Sequence, residues 1–166
     1  MMLRLIPTLK DYIWGGCKLK SLYGREGGEK ISESWEVSVH PDGPSKLENG
    51  GTLAQYLQGR PEAVSPKGGE LPVLIKYIDA ADNLSVQVHP CDEYARKYEN
   101  DNGKTEMWYI VQADEGAGIY CGFREDTDKA LLRQKVSDGT AEELLNFIPV
   151  KAGDCYLIEA GTVHAI

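Results

Sequence analysis

The sequence LSVQVH at residues 84–89 decides the fold class, because apolar and polar side chains alternate with the two-residue period of a β-strand. This alternation places three apolar side chains on one face of the strand and three polar side chains on the other. The polar face consists of Ser85, Gln87 and His89. Polar groups that are buried without partners cost several kcal/mol, so we expect this face to meet other polar groups or a ligand.

A second strand with the same pattern is predicted within KTEMWYIV at residues 104–111. Lys104, Glu106 and Trp108 share one face of this strand. Farther along, GDCYLIEAGTVH at residues 153–164 is predicted as a turn, a strand and a second turn that leads to His164. If these faces line one barrel interior, their polar side chains converge.

Two histidines, a glutamate and a glutamine form a nitrogen and oxygen donor set that suits Zn²⁺ or another borderline divalent ion. Only the glutamate of this set is charged, so a bound divalent ion keeps a net positive charge and can polarise a carbonyl group. The residues alone leave simpler interpretations open. His89 can be a packed histidine at a strand end, and Lys104 with Glu106 can be a solvated surface pair.

The rest of the chain predicts short strands, frequent turns and few helices. LPVLIKYI at 71–78 is predicted as a core strand adjacent to the strand at 84–89, and residues 59–69 as a Pro/Gly loop. Thr52 and Thr140 are each predicted to cap a helix, the latter as a capping box with Glu143. We therefore predict one mainly β region over 1–166, an antiparallel sandwich or barrel with helical insertions, with an irregular N-terminal layer 1–70 and a β core 71–166.

Composition excludes several functional classes. The 166 residues include 18 basic and 26 acidic side chains, a net charge of −8, which argues against nucleic acid and anionic membranes as partners. Apolar runs are far shorter than the about 20 residues that a membrane helix needs. The cysteines lie far apart at Cys17, Cys91, Cys121 and Cys155, which indicates reduced thiols, and we expect a cytoplasmic protein.

Three central motifs resemble those of type I mannose-6-phosphate isomerases, and the short bacterial branch of that family fits best. They are LIKYIDA at 74–80, LSVQVHP at 84–90 and GKTEMW at 103–108. The segments SESWEVS at 32–38 and AGTVHA at 160–165 are also similar to that branch. The resemblance runs from about Trp14 to the last residue and corresponds to the N-terminal part of the family. The resemblance implies a cupin fold and a protein that depends on a bound metal ion.

The resemblance also implies residue roles. The family's metal ligands match Gln87, His89, Glu106 and His164, with zinc as the expected ion, and its substrate pocket matches Ser85 and Lys104. Trp14 and His40 are further candidates for substrate contact. The implied reaction interconverts mannose 6-phosphate and fructose 6-phosphate by moving a proton between C2 and C1 through an enediol. Lys104 is then expected to stabilise charge or take part in proton transfer.

Family members are longer than this chain and carry a downstream arginine thought to matter in catalysis. We therefore expect a barrel that is incomplete at its C-terminus, with an open strand edge that a homo-oligomer or a companion chain covers. The alternative function is a non-catalytic cupin module that binds a metal and a sugar phosphate. An oxygenase on the same scaffold is a more distant alternative, because fold alone does not fix chemistry.

Overall fold

The computed structural model describes residues 2–64 and 69–166, which form two compact units divided between Asp82 and Asn83. The predicted loop at 59–69 contains a short 3₁₀ helix at Pro61–Ala63, and its residues 65–68 lie outside the described residues. In the part of the chain that the structure describes, no helix has the length and apolar character needed to cross a membrane.

The first unit contains short antiparallel strands and two one-turn to two-turn helices. These are β1 (Leu5–Ile6), β2 (Thr8–Lys10), α1 (Lys18–Tyr23), β3 (Glu33–Val37), β4 (Lys46–Leu47), α2 (Leu53–Gln58) and β5 (Ile75–Ile78). Strands β2, β3 and β5 form one sheet in that order, and β1 pairs with β4. The sheet joins two of the motifs recognised in the sequence, because β3 belongs to the segment 32–38 and β5 to the segment 74–80.

A buried ion pair links β3 to β5. Glu33 is only 5% exposed, and its carboxylate accepts hydrogen bonds from Lys76 Nζ at 2.8 Å and from Trp35 Nε1 at 2.6 Å. Lys76 also lies beside the face of the Trp35 ring, 5.9 Å from its centroid. These contacts satisfy a carboxylate that burial would otherwise penalise, and they set the register of the two strands.

The second unit contains the remaining strands and helices. They are β6 (Gln87–Val88), α3 (Asp92–Tyr98), β7 (Glu106–Tyr109), β8 (Gly118–Phe123), α4 (Lys129–Ser137), a 3₁₀ helix (Ala141–Leu144), β9 (Leu145–Pro149), β10 (Cys155–Ile158) and β11 (Val163–Ala165). Strands β6, β11, β8 and β9 form an antiparallel sheet in that order, and β7 pairs with β10. The prediction of a mainly β, antiparallel chain with short helices is confirmed.

Strand β7, which pairs with β10, turns its polar face inward. Glu106 and Trp108 are half-buried, whereas Met107 and Tyr109, which point to the other face, are 63% and 60% exposed. On β10, Leu157 lies opposite Met107 and is 65% exposed. The alternation predicted from the sequence is therefore present, and it leaves an apolar surface on the outer side of this two-stranded sheet.

The prediction that the strands near 71–78 and 84–89 are neighbours is wrong. Strand β5 pairs with β3 in the first unit, and β6 pairs with β11 in the second. Asp79, directly after β5, is buried, and its side chain accepts a hydrogen bond from the Lys18 backbone N–H at the start of α1. Because Asp79 is fixed to α1 in this way, residues 79–83 do not form the tight turn that a hairpin requires.

The two predicted helix caps have different outcomes. Thr52 caps α2 in a complete capping box with Gln55, as predicted. Thr140 makes no side-chain cap, and the segment after it is a 3₁₀ helix, so that prediction is wrong. Glu143, which would have closed the box, instead forms an ion pair with Lys135 Nζ at 2.6 Å.

Candidate metal centre

Strand pairing in the second unit brings the predicted ligands onto adjacent elements. His164 on β11 lies directly opposite Gln87 on β6, and its other neighbour in the sheet is Cys121 on β8. His89 follows β6 by one residue. Glu106 is the first residue of β7. Three separated stretches of the chain therefore supply the side chains of one site.

Ligand atoms of His89, Glu106 and His164 all lie within 4.8 Å of one another, a spacing that could hold a metal ion. The carboxylate of Glu106 lies between the two imidazoles. Its Oε1 is 3.6 Å from His89 Nε2, and its Oε2 is 3.4 Å from His164 Nε2. The two nitrogens and the carboxylate oxygens thus face a common point, as the ligands of a zinc-type site do.

The hydrogen bonding of His164 tests whether these residues fit a cation. The ring is 1% exposed, and its Nδ1 lies 2.8 Å from the Thr162 carbonyl oxygen. A carbonyl only accepts, so Nδ1 carries the proton and Nε2 keeps a lone pair. Among the described residues, that buried Nε2 has no hydrogen-bonding partner. A buried lone pair beside a carboxylate oxygen suits a metal ion, and a carbonyl on the opposite ring nitrogen is the usual outer partner of a metal-binding histidine.

Lys104 adds a positive charge at the edge of the site. Its Nζ lies 2.6 Å from Glu106 Oε1 and 2.9 Å from His89 Nε2. Burial raises the pKa of Glu106, but the hydrogen bond and the charge of Lys104 are the main causes that lower it, and the pKa lies below its usual value. Glu106 is therefore a carboxylate near neutral pH, which is the form that binds a metal.

Trp108 is a site residue to which the sequence analysis gave a place on the strand but no role. Its Nε1 donates a hydrogen bond to Glu106 Oε2 at 3.1 Å, and its ring meets the His164 ring edge to face with 5.4 Å between centroids. The signal in the sequence was the two-residue spacing of Trp108 and Glu106, which places both side chains on the same face of β7.

Gly103 is a second residue with an unrecognised role. A Cβ at this position would overlap the backbone of Cys91 and Asp92 at the start of α3. The absence of a side chain lets the segment before β7 approach closely, and the Lys104 N–H donates to the Pro90 carbonyl oxygen at 3.1 Å. This contact places Lys104 beside His89.

A tight turn positions both histidines. The Thr162 N–H donates to the Glu159 carbonyl oxygen at 3.1 Å, and Gly161 within the turn has a φ of +90°. The Gly161 N–H then donates to the His89 carbonyl oxygen at 2.7 Å. The turn before one histidine is therefore bonded to the backbone of the other.

We expect Gly161→Ala to weaken metal binding by about tenfold, because the turn that it strains holds both histidines. Strain at a positive φ should also lower the free energy of unfolding by about 1 to 2 kcal/mol. Gly153→Ala is the matched control. Gly153 has a φ of +94° in a turn with the same spacing, closed by the Asp154 N–H and the Lys151 carbonyl.

Chelator competition and urea unfolding on both glycine variants check this expectation. If both variants lose the same stability and only Gly161→Ala loses metal affinity, the result supports the role of the Gly161 turn in holding the two histidines. Equal metal affinity in the two variants contradicts it.

The remaining predicted ligand and the three predicted substrate contacts lie outside the cluster of His89, Glu106 and His164. Gln87 is half-buried opposite His164, and Ser85 is exposed just before β6. Trp14 and His40 belong to the first unit, where Trp14 stacks on Tyr12 at 5.6 Å and the His40 ring meets the Trp35 ring at 5.9 Å.

Known proteins are similar to this chain in sequence and in fold. The chain is 43% identical over 160 residues to the mannose-6-phosphate isomerase of Streptococcus mutans serotype c, covering 93% of this chain and 50% of that protein. It is 37% identical over 166 residues to mannose-6-phosphate isomerase ManA of Bacillus subtilis, covering 96% and 52%. The crystal structure of the Bacillus subtilis mannose 6-phosphate isomerase superposes with a TM-score of 0.89 at 35% identity, covering 99% of this chain and 54% of that one.

The chain spans about half the length of the relatives that it matches. The structural match, together with the antiparallel sheets, confirms the predicted cupin-like fold class. Residues 2–126 match the family described as phosphomannose isomerase type I, catalytic domain. On these similarities and motifs, the chain belongs to the type I phosphomannose isomerase family.

Proposed function

We propose that the protein is a metal-dependent isomerase that interconverts mannose 6-phosphate and fructose 6-phosphate. The observation that carries this proposal is the grouping of His89, Glu106 and His164 beside the ammonium group of Lys104. A metal-binding triad alone is compatible with many reactions. A lysine in contact with the same carboxylate adds the cationic group that stabilises negative charge on sugar oxygens.

The proposed metal ligands are Gln87, His89, Glu106 and His164, and zinc is the proposed ion because imidazole and carboxylate donors suit it. When bound, the ion supplies positive charge next to the reacting oxygens of the sugar. The residues themselves supply the rest of the site. Thr162 holds the His164 tautomer through its carbonyl, and Trp108 holds Glu106.

Lys104 is the proposed catalytic residue. An aldose–ketose interconversion moves a proton between two neighbouring carbons, and negative charge develops on the oxygens that these carbons carry. The Lys104 side chain is 46% exposed, so its ammonium can turn toward a substrate while remaining near Glu106. In that position it stabilises the developing charge or exchanges a proton with the sugar oxygen.

Ser85, Trp14 and His40 remain proposed substrate contacts. Ser85 supports this role best, because it is exposed two residues before Gln87 and can offer a hydroxyl to a sugar. The aromatic rings of Trp14 and His40 suit the apolar face of a sugar ring. The proposed substrate class is a sugar phosphate.

We also propose that the apolar surface formed by Met107, Tyr109 and Leu157 is covered in the working enzyme by another polypeptide. The proposed occupant is the part that the relatives contain beyond the half matched by this chain. Two observations support it. These side chains are each at least 60% exposed on paired strands, and in the described ranges β7 and β10 pair only with each other.

Two broader expectations complete the proposal. Residues 1–166 act as one cupin-type catalytic and metal-binding region, although their contacts cluster in two units. The protein acts in the cytoplasm, where its sugar phosphate substrate is made and where thiols stay reduced. The four cysteines are free, as expected for that compartment.

The test is a coupled assay for fructose 6-phosphate formation from mannose 6-phosphate, with metal content measured on the same sample. The assay is run on the 166-residue chain alone and on an equimolar mixture with the remaining half of the Streptococcus mutans relative. Chelator should abolish turnover and Zn²⁺ should restore it. Lys104→Gln should retain the metal and lose about 100-fold or more in turnover.

The outcomes separate the proposals. Turnover only in the mixture supports both the isomerase and the companion polypeptide, while full turnover by the chain alone contradicts the need for a companion. A bound metal without turnover in either sample contradicts the isomerase and favours the non-catalytic module. Sedimentation velocity tests the alternative that a second copy of this chain covers the apolar surface. A dimer of this chain that does not bind the added half contradicts the proposed occupant.

A further inference from the structure

The chain contains two strands that begin with the pattern Glu-x-Trp, and both use the same local arrangement. In β7, the Trp108 Nε1 donates to Glu106 Oε2 at 3.1 Å, while Lys104 Nζ contacts Oε1 at 2.6 Å. One carboxylate oxygen is thus held by an indole and the other by an ammonium group. Each oxygen keeps a separate donor, so the carboxylate has a defined orientation.

The first unit repeats this arrangement, but its neighbouring histidine, His40, meets the Trp35 ring at 5.9 Å and forms no ion pair with the Glu33 carboxylate among the described residues. In β3, the Trp35 Nε1 donates to Glu33 Oε2 at 2.6 Å, and Lys76 Nζ donates to Oε1 at 2.8 Å. There the indole and the lysine satisfy a buried carboxylate that serves the packing of two strands. The first unit therefore provides an internal reference for what the indole does where the described residues form no candidate metal site.

In the second unit the same carboxylate geometry faces two imidazoles. Oε1 of Glu106 is 3.6 Å from His89 Nε2 and Oε2 is 3.4 Å from His164 Nε2. The carboxylate spans both rings only while its plane keeps this orientation. Rotation about the terminal torsion of a glutamate is soft, so the orientation has to come from its hydrogen-bond donors.

Of the two donors, Trp108 is the better anchored. Lys104 has a flexible four-carbon stem and a side chain that is 46% exposed. Trp108 is half-buried, and its ring packs against the His164 ring at 5.4 Å with an interplanar angle of 82°. The indole therefore contacts two of the proposed metal ligands at once, one through a hydrogen bond and one through its ring.

We propose that Trp108 is a positioning residue of the metal centre, whose indole N–H fixes the Glu106 carboxylate in the orientation that lets it share an ion with His89 and His164. This inference rests on the proposed function, because it assumes the same ligands. Outer partners of metal ligands typically contribute 10- to 100-fold to metal affinity. That range sets the size of the effect to be measured.

Trp108→Phe tests the hydrogen bond, because phenylalanine keeps a ring against His164 and removes only the N–H donor and part of the ring. We expect the dissociation constants for Zn²⁺ and Co²⁺, measured by chelator competition, to rise about 10- to 100-fold. The visible absorption bands of bound Co²⁺ should also shift, since they report the arrangement of the ligands. Trp35→Phe is the matched control and should leave both readouts unchanged.

A measurement on the unsubstituted chain keeps the test independent of any folding defect. The three tryptophans give three indole N–H signals in a ¹⁵N-labelled sample, and the spectra of Trp35→Phe and Trp108→Phe each identify the signal that the substitution removes. Addition of Zn²⁺ should shift the Trp108 signal, because the charge on its acceptor carboxylate is then shared with the ion. The Trp35 signal should not move.

The outcomes distinguish the positioning role of Trp108 from the proposed set of metal ligands. If the unsubstituted chain binds no Zn²⁺, the ligand assignment itself is overturned. If it binds Zn²⁺ while Trp108→Phe binds with equal affinity, or while the Trp108 signal stays fixed at saturation, only the positioning role is overturned. In a Glu106→Gln background, Trp108→Phe should add little further loss, and an undiminished loss there would also overturn the role.

Discussion

Glu106→Gln is expected to lower metal affinity at least about 100-fold, the upper end of the loss caused by removing outer partners of a ligand. The change is nearly isosteric, so its effect is electrostatic. It removes the single negative charge of the proposed ligand set while Lys104 stays 2.6 Å from the same position. The remaining ligands are then neutral donors, and the Lys104 ammonium repels a divalent cation without a carboxylate to offset it.

Metal content after dialysis against a limiting chelator measures this effect. His89→Ala should lose metal in the same way, because it removes a donor atom within 3.6 Å of the carboxylate. His40→Ala is the control, since His40 belongs to the first unit and packs on Trp35 there. Equal metal content in the three variants contradicts the ligand assignment.

Lys76→Met is expected to destabilise the chain by about 3 kcal/mol, the lower end of the cost of leaving a buried charge without its partner. Glu33 is 5% exposed, and among the described residues the hydrogen bond from Trp35 Nε1 would be the one that its carboxylate keeps. The lower end of the range applies because the Lys76 side chain is itself 23% exposed. Urea unfolding followed by circular dichroism measures the loss.

Arg4→Met is the matched control for this change. The Arg4–Glu48 pair has a similar distance of 3.1 Å, but its side chains are 78% and 61% exposed. Its removal should cost no more than about 1 kcal/mol, as for other surface pairs. Adding Glu33→Gln to Lys76→Met should recover part of the stability, because a neutral amide needs no counter-charge. Similar losses of stability in Lys76→Met and Arg4→Met would contradict the assignment of Glu33 and Lys76 as a buried ion pair.

Sequence patterns predicted those parts of the fold that depend on local alternation. The inward polar faces of β6 and β7 follow from a two-residue period, and so does the grouping of His89 and Glu106 with Lys104. The partner of each strand was harder to predict, because pairing depends on contacts distant in sequence. Strand β5 illustrates this, since it pairs with β3 instead of the expected neighbour β6, and the buried aspartate that follows it is bound to α1.

The outer partners of the site could not be predicted for a related reason. The carbonyl of Thr162 and the N–H of Gly161 are backbone groups, which every sequence contains, and only the turn geometry directs them at a histidine. Trp108 carries a recognisable side chain, but aromatic residues on strands usually fill cores. Its role became visible only when the indole nitrogen was found beside a carboxylate.

The bond between the Gly161 N–H and the His89 carbonyl has a consequence for folding. It joins two backbone positions that are 72 residues apart in the sequence, so it forms only when the distant strands have already met. An unfolded chain cannot present the same ligands together, and an ion that binds only the folded form stabilises it by mass action. The amide proton of Gly161 should therefore exchange with deuterium more slowly as the Zn²⁺ concentration rises, which makes it a local gauge of whether the site has assembled.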